Sequence, residues 1–160
     1  MWGIKESFKE MFLEEKESIL GQLRNEKAER KNLEFRLEVQ SDLRDRVRVD
    51  RDRLHEVVIN FLSNATKYTE EGGITIKLFN KGSKIVRLEV IDTGMGISKE
   101  EQKKLFSKFY RVKSKVGKTI GSGLGLYISK LLIEKFKGNI GVESEPGKGS
   151  SFWFELPVSS

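Results

Sequence analysis

The chain has 160 residues, enough for one domain with a real core, and its 37% hydrophobic and 34% charged content describes a highly charged globular protein. No apolar run approaches the roughly 20 residues that span a bilayer. There is no cysteine for a disulfide or thiolate metal site, and one histidine excludes a multi-histidine site within one chain. The net charge of +6 suits an anionic ligand or partner, but the basic residues are not interleaved with aromatics, which argues against nucleic acid. The charged, amphipathic start is no signal peptide, so the cytoplasm is the expected compartment.

Residues 4 to 26 read as a helix, with Ile4, Phe8, Met11, Phe12, Ile19 and Leu23 at helical spacing among Glu and Lys. It either lies on its own domain or continues an upstream coiled coil. Leu33 to Val39 alternates as a strand with one wet face, and Arg46 to Val49 is a shorter one. Asp50 or Asp52 can cap the helix that follows.

That helix, about 51 to 68, has a core stripe of Leu54, Val57, Val58, Phe61, Leu62 and Ala65. Glu56, Asn60, Asn64 and Lys67 fall within about 80° of one another on a different face. Asparagine is unfavourable inside a helix. Two of them four apart align two amide oxygens, which are hard neutral ligands suited to Mg²⁺; the bland alternative is solvated or locally capping side chains. Lys67 can meet a phosphate as a point charge. His55 lies inside the helix and reads as a structural histidine.

Gly72-Gly73 closes the helix. Ile74 to Leu78 alternates as a strand, Asn80 to Ser83 turns the chain, and 84 to 91 is a strand that delivers Asp92. Asp92-Thr93-Gly94-Met95-Gly96 is the stretch around which the rest is organised. A buried carboxylate at a strand end can accept from an exocyclic amine, and the glycines leave room for a flat ring. Adenine is the expected ligand of Asp92.

Ser98 with Glu101 forms a capping box that opens a helix through about Lys108, with Leu105, Phe106 and Phe109 as core anchors. From Val112 to Thr119 apolar periodicity vanishes, and Lys113, Lys115 and Lys118 alternate with small residues. This is a basic loop of the kind that closes over ligands, or a plain surface loop. It runs into Gly121-Ser122-Gly123-Leu124-Gly125-Leu126, which opens a helix from Leu126 to Lys137 with its stop at Gly138. Backbone N–H groups at such a start make an anion site. A dinucleotide fold would need a buried strand before this loop, and a P-loop would need Gly-Lys-Ser/Thr; neither is present. The tail is a hairpin, Ile140 to Glu143 and Ser151 to Leu156, whose turn glycines and Ser150 are candidates for the adenine end, with a plain tight turn equally open.

Taken together, these segments resemble the catalytic ATP-binding domain of bacterial two-component sensor histidine kinases, in the GHKL superfamily with gyrase and MutL. Arg53 to Thr69 resembles the asparagine box and Asp92 to Ile97 the first glycine box. Leu105 to Arg111 resembles the phenylalanine box, Gly121 to Leu126 the second glycine box, and Gly147 to Phe152 the closing hairpin. The order is that of the family, and the likeness covers about residues 4 to 157.

The resemblance implies a two-layer α/β sandwich of the Bergerat type, with helices on one face of a mixed sheet and a flexible ATP lid at 111–120. The whole chain, 1–160, would be one such domain. ATP and Mg²⁺ are the implied cofactors. Asp92 would bind the adenine amine and Asn64 would ligate Mg²⁺. Asn60, Lys67 and Tyr68 would line the phosphate side, with Arg111 and lid lysines such as Lys118 at the γ-phosphate. Asn60, Lys67 and Arg111 would be the catalytic set. Gly121, Gly123, Leu124, Gly125 and Leu126 would contact phosphates, and Gly94, Gly96, Ile97, Phe109, Tyr110 and Ser150 would complete the nucleotide site.

Relatives that hydrolyse ATP usually carry a water-activating Glu at the position of Asn60. An amide accepts no proton at neutral pH, which favours phosphoryl transfer to a positioned side chain. The family's dimerisation domain with its phosphoacceptor histidine is not in this sequence. The chain is therefore expected to phosphorylate a histidine supplied in trans and not to autophosphorylate. Implied partners are that dimerisation domain and a response regulator receiver domain. The fragment would be a monomer and the full-length kinase a homodimer, possibly membrane-anchored through other segments.

Overall fold

The computed structural model describes residues 4–23, 32–44, 46–110 and 124–159. In chain order the elements are β1 (Ile4–Ser7), α1 (Phe8–Leu23), β2 (Glu34–Val39), β3 (Arg46–Val49), α2 (Arg51–Tyr68), β4 (Gly73–Lys81) and β5 (Ile85–Asp92). After these come α3 (Lys99–Gln102), α4 (Gly125–Lys135), β6 (Asn139–Glu145) and β7 (Gly149–Pro157). Five strands form one sheet in the order β2-β4-β5-β7-β6, and β1 pairs separately with β3. β2 runs parallel to β4 and the remaining pairs are antiparallel, so the sheet is mixed.

Period-2 alternation decides which face is covered. Ile74, Ile76 and Leu78 of β4, Val86, Leu88 and Val90 of β5, and Phe152, Phe154 and Leu156 of β7 are all buried. The helices lie over this face. Phe8 at the start of α1 meets Phe154 edge-on at 5.9 Å, and Phe61 of α2 packs on Phe152 and Phe154 at 5.7 and 6.0 Å. The α2 stripe is buried as the spacing predicts, and Asp50 is the residue that caps it, accepting from the N–H groups of Asp52 and Arg53. This is the two-layer α/β sandwich with helices on one face of a mixed sheet.

Three expectations need correction. Ile4–Ser7 is a strand, not the first turn of a helix from residue 4. Its backbone pairs with β3, Ile4 opposite Val49, and the Ser7 hydroxyl accepts the Glu10 N–H at 3.2 Å, capping a helix that begins at Phe8. Phe8, Met11 and Phe12 are buried, so α1 lies on its own domain; residues 24–26 fall outside those described. Second, α3 ends at Gln102 and the chain continues to Tyr110 in tight turns. N–H groups of Lys104, Ser107 and Tyr110 bond to carbonyls three residues back. Leu105 is buried as expected, but Phe109 is 61% exposed with φ of 65°, so it is no core anchor.

Third, α4 starts at Gly125, and Gly138 does not supply its left-handed stop. Lys137 takes that conformation (φ 65°), while the N–H groups of Lys137 and Gly138 bond to the carbonyls of Glu134 and Ile133. Gly138 is needed for space, because a Cβ there would collide with the Glu155 carbonyl.

Candidate functional site

Asp92 ends β5 on the helix-covered face and is 3% exposed. Its Oδ1 accepts the N–H of Gly94 at 2.9 Å and of Ser150 at 3.2 Å. Its Oδ2 is buried with no partner among the described residues. Burial pushes the carboxyl up to about 6, against the pull of those two N–H groups. Thr69, at the exit of α2, is fully buried, and its Oγ1 also lacks a partner among the described residues. Both hydrogen-bonding groups flank Gly94: its missing Cβ would stand 2.9 Å from Asp92 Oδ1 and 3.0 Å from Thr69 Oγ1. A buried carboxylate oxygen and a buried hydroxyl, each without a partner among the described residues, are thus available to polar groups of a ligand.

The turn after Asp92 is held from several sides. Met95 N–H reaches the Tyr68 carbonyl at 3.4 Å, fastening the turn to the end of α2. Gly96 has φ of 71°, and a Cβ there would strike the Glu145 carbonyl. Gly149 has φ of 97°, and a Cβ there would strike the Asp92 carbonyl. The β6–β7 turn therefore nests directly on the Asp92 turn, with Gly147 N–H donating to the Met95 carbonyl at 2.7 Å. Ile97 N–H donates to Ser144 Oγ at 2.8 Å. Gln102 Nε2 donates to the Ile97 carbonyl at 2.7 Å and the Ser144 carbonyl at 2.9 Å. A cleft on this side is lined by Asp92, Gln102, Ser144, Lys148 and Ser150, among others.

The second wall is the polar face of α2. Asn60 Nδ2 donates to the Gly125 carbonyl and to Ser129 Oγ, each at 3.2 Å. This brings Asn60 to the start of α4, where Leu124 occupies the cap position and supplies no side-chain cap. The start of a helix gathers backbone N–H groups of the kind that receive an anion. Asn64, one turn on, is half-buried. Lys67 and Tyr68 are half-buried at the same end of α2. Burial, and then the charge of Glu101, raise the Tyr68 hydroxyl above its ordinary value. Tyr110 O–H donates to Glu101 Oε1 at 3.2 Å, which ties the last described residue before 111 to α3.

The structure thus brings Tyr68, Asp92, Gly94, Gly96, Ile97 and Ser150 together at one end, and Asn60, Leu124, Gly125 and Leu126 at the other. Phe109 stands exposed, its ring 5.3 Å from Lys108 Nζ. Arg111, Lys118, Gly121, Gly123 and the whole 111–120 segment lie outside the described residues. Sequence reasoning missed Thr69, Glu101 as the partner of Tyr110, Gln102 and Ser144. Thr69 was legible as the residue closing the asparagine-bearing helix. The others depend on contacts with β6 and with the turns after α3. Among the described residues no group of three or more His, Cys, Asp and Glu is placed to hold a metal.

Residues 49–160 match the family described as histidine kinase-, DNA gyrase B- and HSP90-like ATPase. The chain is 39% identical over 129 residues to the adaptive-response sensory kinase SasA of Parasynechococcus marenigrum (strain WH8102), covering 80% of this chain and 33% of SasA. It therefore spans about a third of that relative's length. Among solved structures, the catalytic domain of histidine kinase ThkA superposes with a TM-score of 0.77 at 32% identity and full coverage of both chains. Histidine kinase ThkA in complex with response regulator protein TrrA gives 0.74 at 29% identity, over 98% of this chain and 42% of that one. Full-length ShkA in complex with AMPPNP gives 0.73 at 32% identity, over 90% of this chain and 30% of that one. The matched segment opens at the last residue of β3 and takes in α2, the Asp92 turn and the Gly-rich start of α4. The chain belongs to the histidine kinase-, DNA gyrase B- and HSP90-like ATPase family, and within it to the histidine kinase catalytic domains.

Proposed function

We propose that the chain binds Mg-ATP and transfers the γ-phosphoryl group to a histidine on a separate dimerisation domain, as the catalytic part of a two-component sensor kinase. The observation that carries the nucleotide half is Asp92 Oδ2, a buried acceptor with no partner among the described residues. An adenine amine satisfies it, and a buried unsatisfied carboxylate oxygen is otherwise costly. ShkA, a relative solved with AMPPNP, supports a nucleotide at this site.

Asp92 holds the base, with Gly94, Gly96, Ile97, Tyr68, Tyr110 and Ser150 around it. Asn60 keeps its Nδ2 on Gly125 and Ser129, which positions the start of α4 so that its first N–H groups face an anion. Asn64 is the Mg²⁺ ligand, and Lys67 neutralises phosphate charge. Arg111, Lys118, Gly121 and Gly123 complete the phosphate side, and Phe109 and Leu126 border it. Mg²⁺ bound here supplies charge neutralisation between phosphates. No general base is needed from Asn60, since the acceptor is a positioned histidine and not water. His55 is not that acceptor: it is half-buried in the interior of α2, in a small cleft with Phe8, Met11 and Phe12. The receiver domain of a response regulator is the downstream partner, as ThkA's complex with TrrA supports.

The test is ATP binding with and without Mg²⁺ for the wild type, Asp92→Ala and Asn64→Ala. Asp92→Ala is expected to abolish binding, and Asn64→Ala to remove the Mg²⁺ dependence. Two variants that bind like the wild type would overturn the site. Mixing the chain with a dimerisation domain bearing the acceptor histidine is expected to phosphorylate that histidine in trans. Stable phosphate on His55 of the isolated chain would sink the reading that the acceptor histidine lies on a separate domain.

A further inference from the structure

Ser144 of β6 and Ser150 of β7 are register partners with their hydroxyl oxygens 2.7 Å apart. That distance alone leaves the direction of the bond open. The remaining contacts of Ser144 close it. Its Oγ accepts the Ile97 N–H at 2.8 Å and lies 2.8 Å from the Gly149 carbonyl oxygen, which can only accept. A hydroxyl owns one hydrogen, so Ser144 gives its proton to Gly149. The Ser150 hydroxyl must then be the donor to Ser144. Its backbone N–H is committed to Asp92 Oδ1.

Ser150 therefore presents only lone pairs to the cleft it shares with Asp92, its register partner on β5. Asp92 Oδ2 presents the same. We infer that Ser144, acting through Ser150, sets the hydrogen-bond polarity of the base pocket. It makes the Ser150–Asp92 side of the wall acceptor-only, which takes a purine 6-amino group and rejects a 6-oxo group. Gln102 fixes the frame by holding the carbonyls of Ile97 and Ser144. Ser144 is a positioning residue, and this inference rests on the adenine-nucleotide reading above.

The experiment compares affinities for Mg-ATP and Mg-ITP in the wild type, Ser144→Ala, Ser144→Thr and Ser144→Cys. Without the Ser144 hydroxyl, the Ser150 proton is released and can turn to a 6-oxo oxygen. The ATP-over-ITP preference is expected to fall about tenfold in Ser144→Ala, chiefly through tighter ITP binding, and to survive in Ser144→Thr. A merely structural role would weaken both nucleotides in parallel and leave the ratio unmoved; that outcome in a folded Ser144→Ala overturns the inference and leaves the nucleotide reading standing. A wild type that binds no ATP overturns the reading beneath it. Should Ser144→Ala not fold, the near-isosteric, weakly hydrogen-bonding Ser144→Cys carries the same expectation and the same refutation.

Discussion

Two buried carboxylates on the central strands of the sheet have opposite fates. Glu155, 5% exposed, lies on the face without helices and accepts from Lys81 Nζ at 2.7 Å and Arg87 Nη1 at 3.0 Å. Burial alone would raise its carboxyl, but those bonds outweigh it and hold the group below the usual carboxylate range. Arg87, 7% exposed, is in turn bonded to Glu89 at 2.8 Å and lies 4.2 Å from the Trp153 ring. Asp92, on the other face, accepts from two backbone N–H groups on one oxygen only and is pushed up to about 6. Depth of burial does not separate the two; the partners do. A buried carboxylate held by an ammonium and a guanidinium is kept charged within the fold, whereas one with only backbone N–H partners and a buried unmet oxygen is left raised and marks a candidate ligand site.

The largest expected effect is on the ion-paired side. Glu155→Leu strips Arg87 of its best-buried partner and is expected to cost about 3 kcal/mol in chemical denaturation, with ATP affinity of the folded protein unchanged. Asp92→Asn runs the other way. The raised carboxyl costs the nucleotide-free fold about 3 kcal/mol at pH 7, from a rise of roughly two pKa units at about 1.36 kcal/mol each. The amide leaves its own NH₂ unpaired, so a net gain of about 2 kcal/mol is expected. The variant should also lose about tenfold of its ATP-over-GTP preference. If it were less stable than the wild type at pH 7, Asp92 would be a structural residue like Glu155.

A folded-state value near 6, above the ordinary 3.8, penalises the charged form at neutral pH. The penalty is relieved as pH falls from 6 toward 4, so the stability gap between Asp92→Asn and the wild type should close over that window. In the proposed site ATP is held by the charged form of Asp92, so wild-type affinity is expected to drop about tenfold between pH 7.5 and pH 5. Asp92→Asn should lack this drop, which subtracts the titration of the nucleotide itself. Smaller again, Asn60→Ala removes the bonds to Gly125 and Ser129 and should cost about 1 kcal/mol. Tyr110→Phe, losing the bond to Glu101, should cost about 0.5 kcal/mol at most.

The sheet, α2 and the Asp92 turn are legible because they write their own periods. The stripe from Leu54 to Ala65 is helical and the alternation from Ile74 onward is extended, each within one element. The strand Ile4–Ser7 is hidden because its partner, Arg46–Val49, is far along the chain, and apolar spacing at Phe8, Met11 and Phe12 bleeds back into it. Ser7 and Glu10 stand at capping-box spacing, a signal available in the sequence. Arg87 and Glu155 fall on the outward-pointing positions of alternating strands, so pattern alone assigns them to water. Their burial needs Trp153 and two neighbouring strands, a cross-strand fact that no single segment states. Asp92 was placed by its glycines, but its unpaired oxygen, its raised carboxyl and the Ser144–Ser150 polarity exist only once β5, β6 and β7 are side by side.

The stacking of Arg87 on Trp153 also makes a spectroscopic instrument of the chain. One of its two tryptophans, Trp153, is lodged under a guanidinium on the side of the sheet away from the Asp92 pocket. Its emission is set by a cation that departs only when the strands separate. The Trp153 signal should therefore report unfolding of β5 and β7 and stay quiet when the pocket fills, letting stability and ligand occupancy be followed independently in one sample.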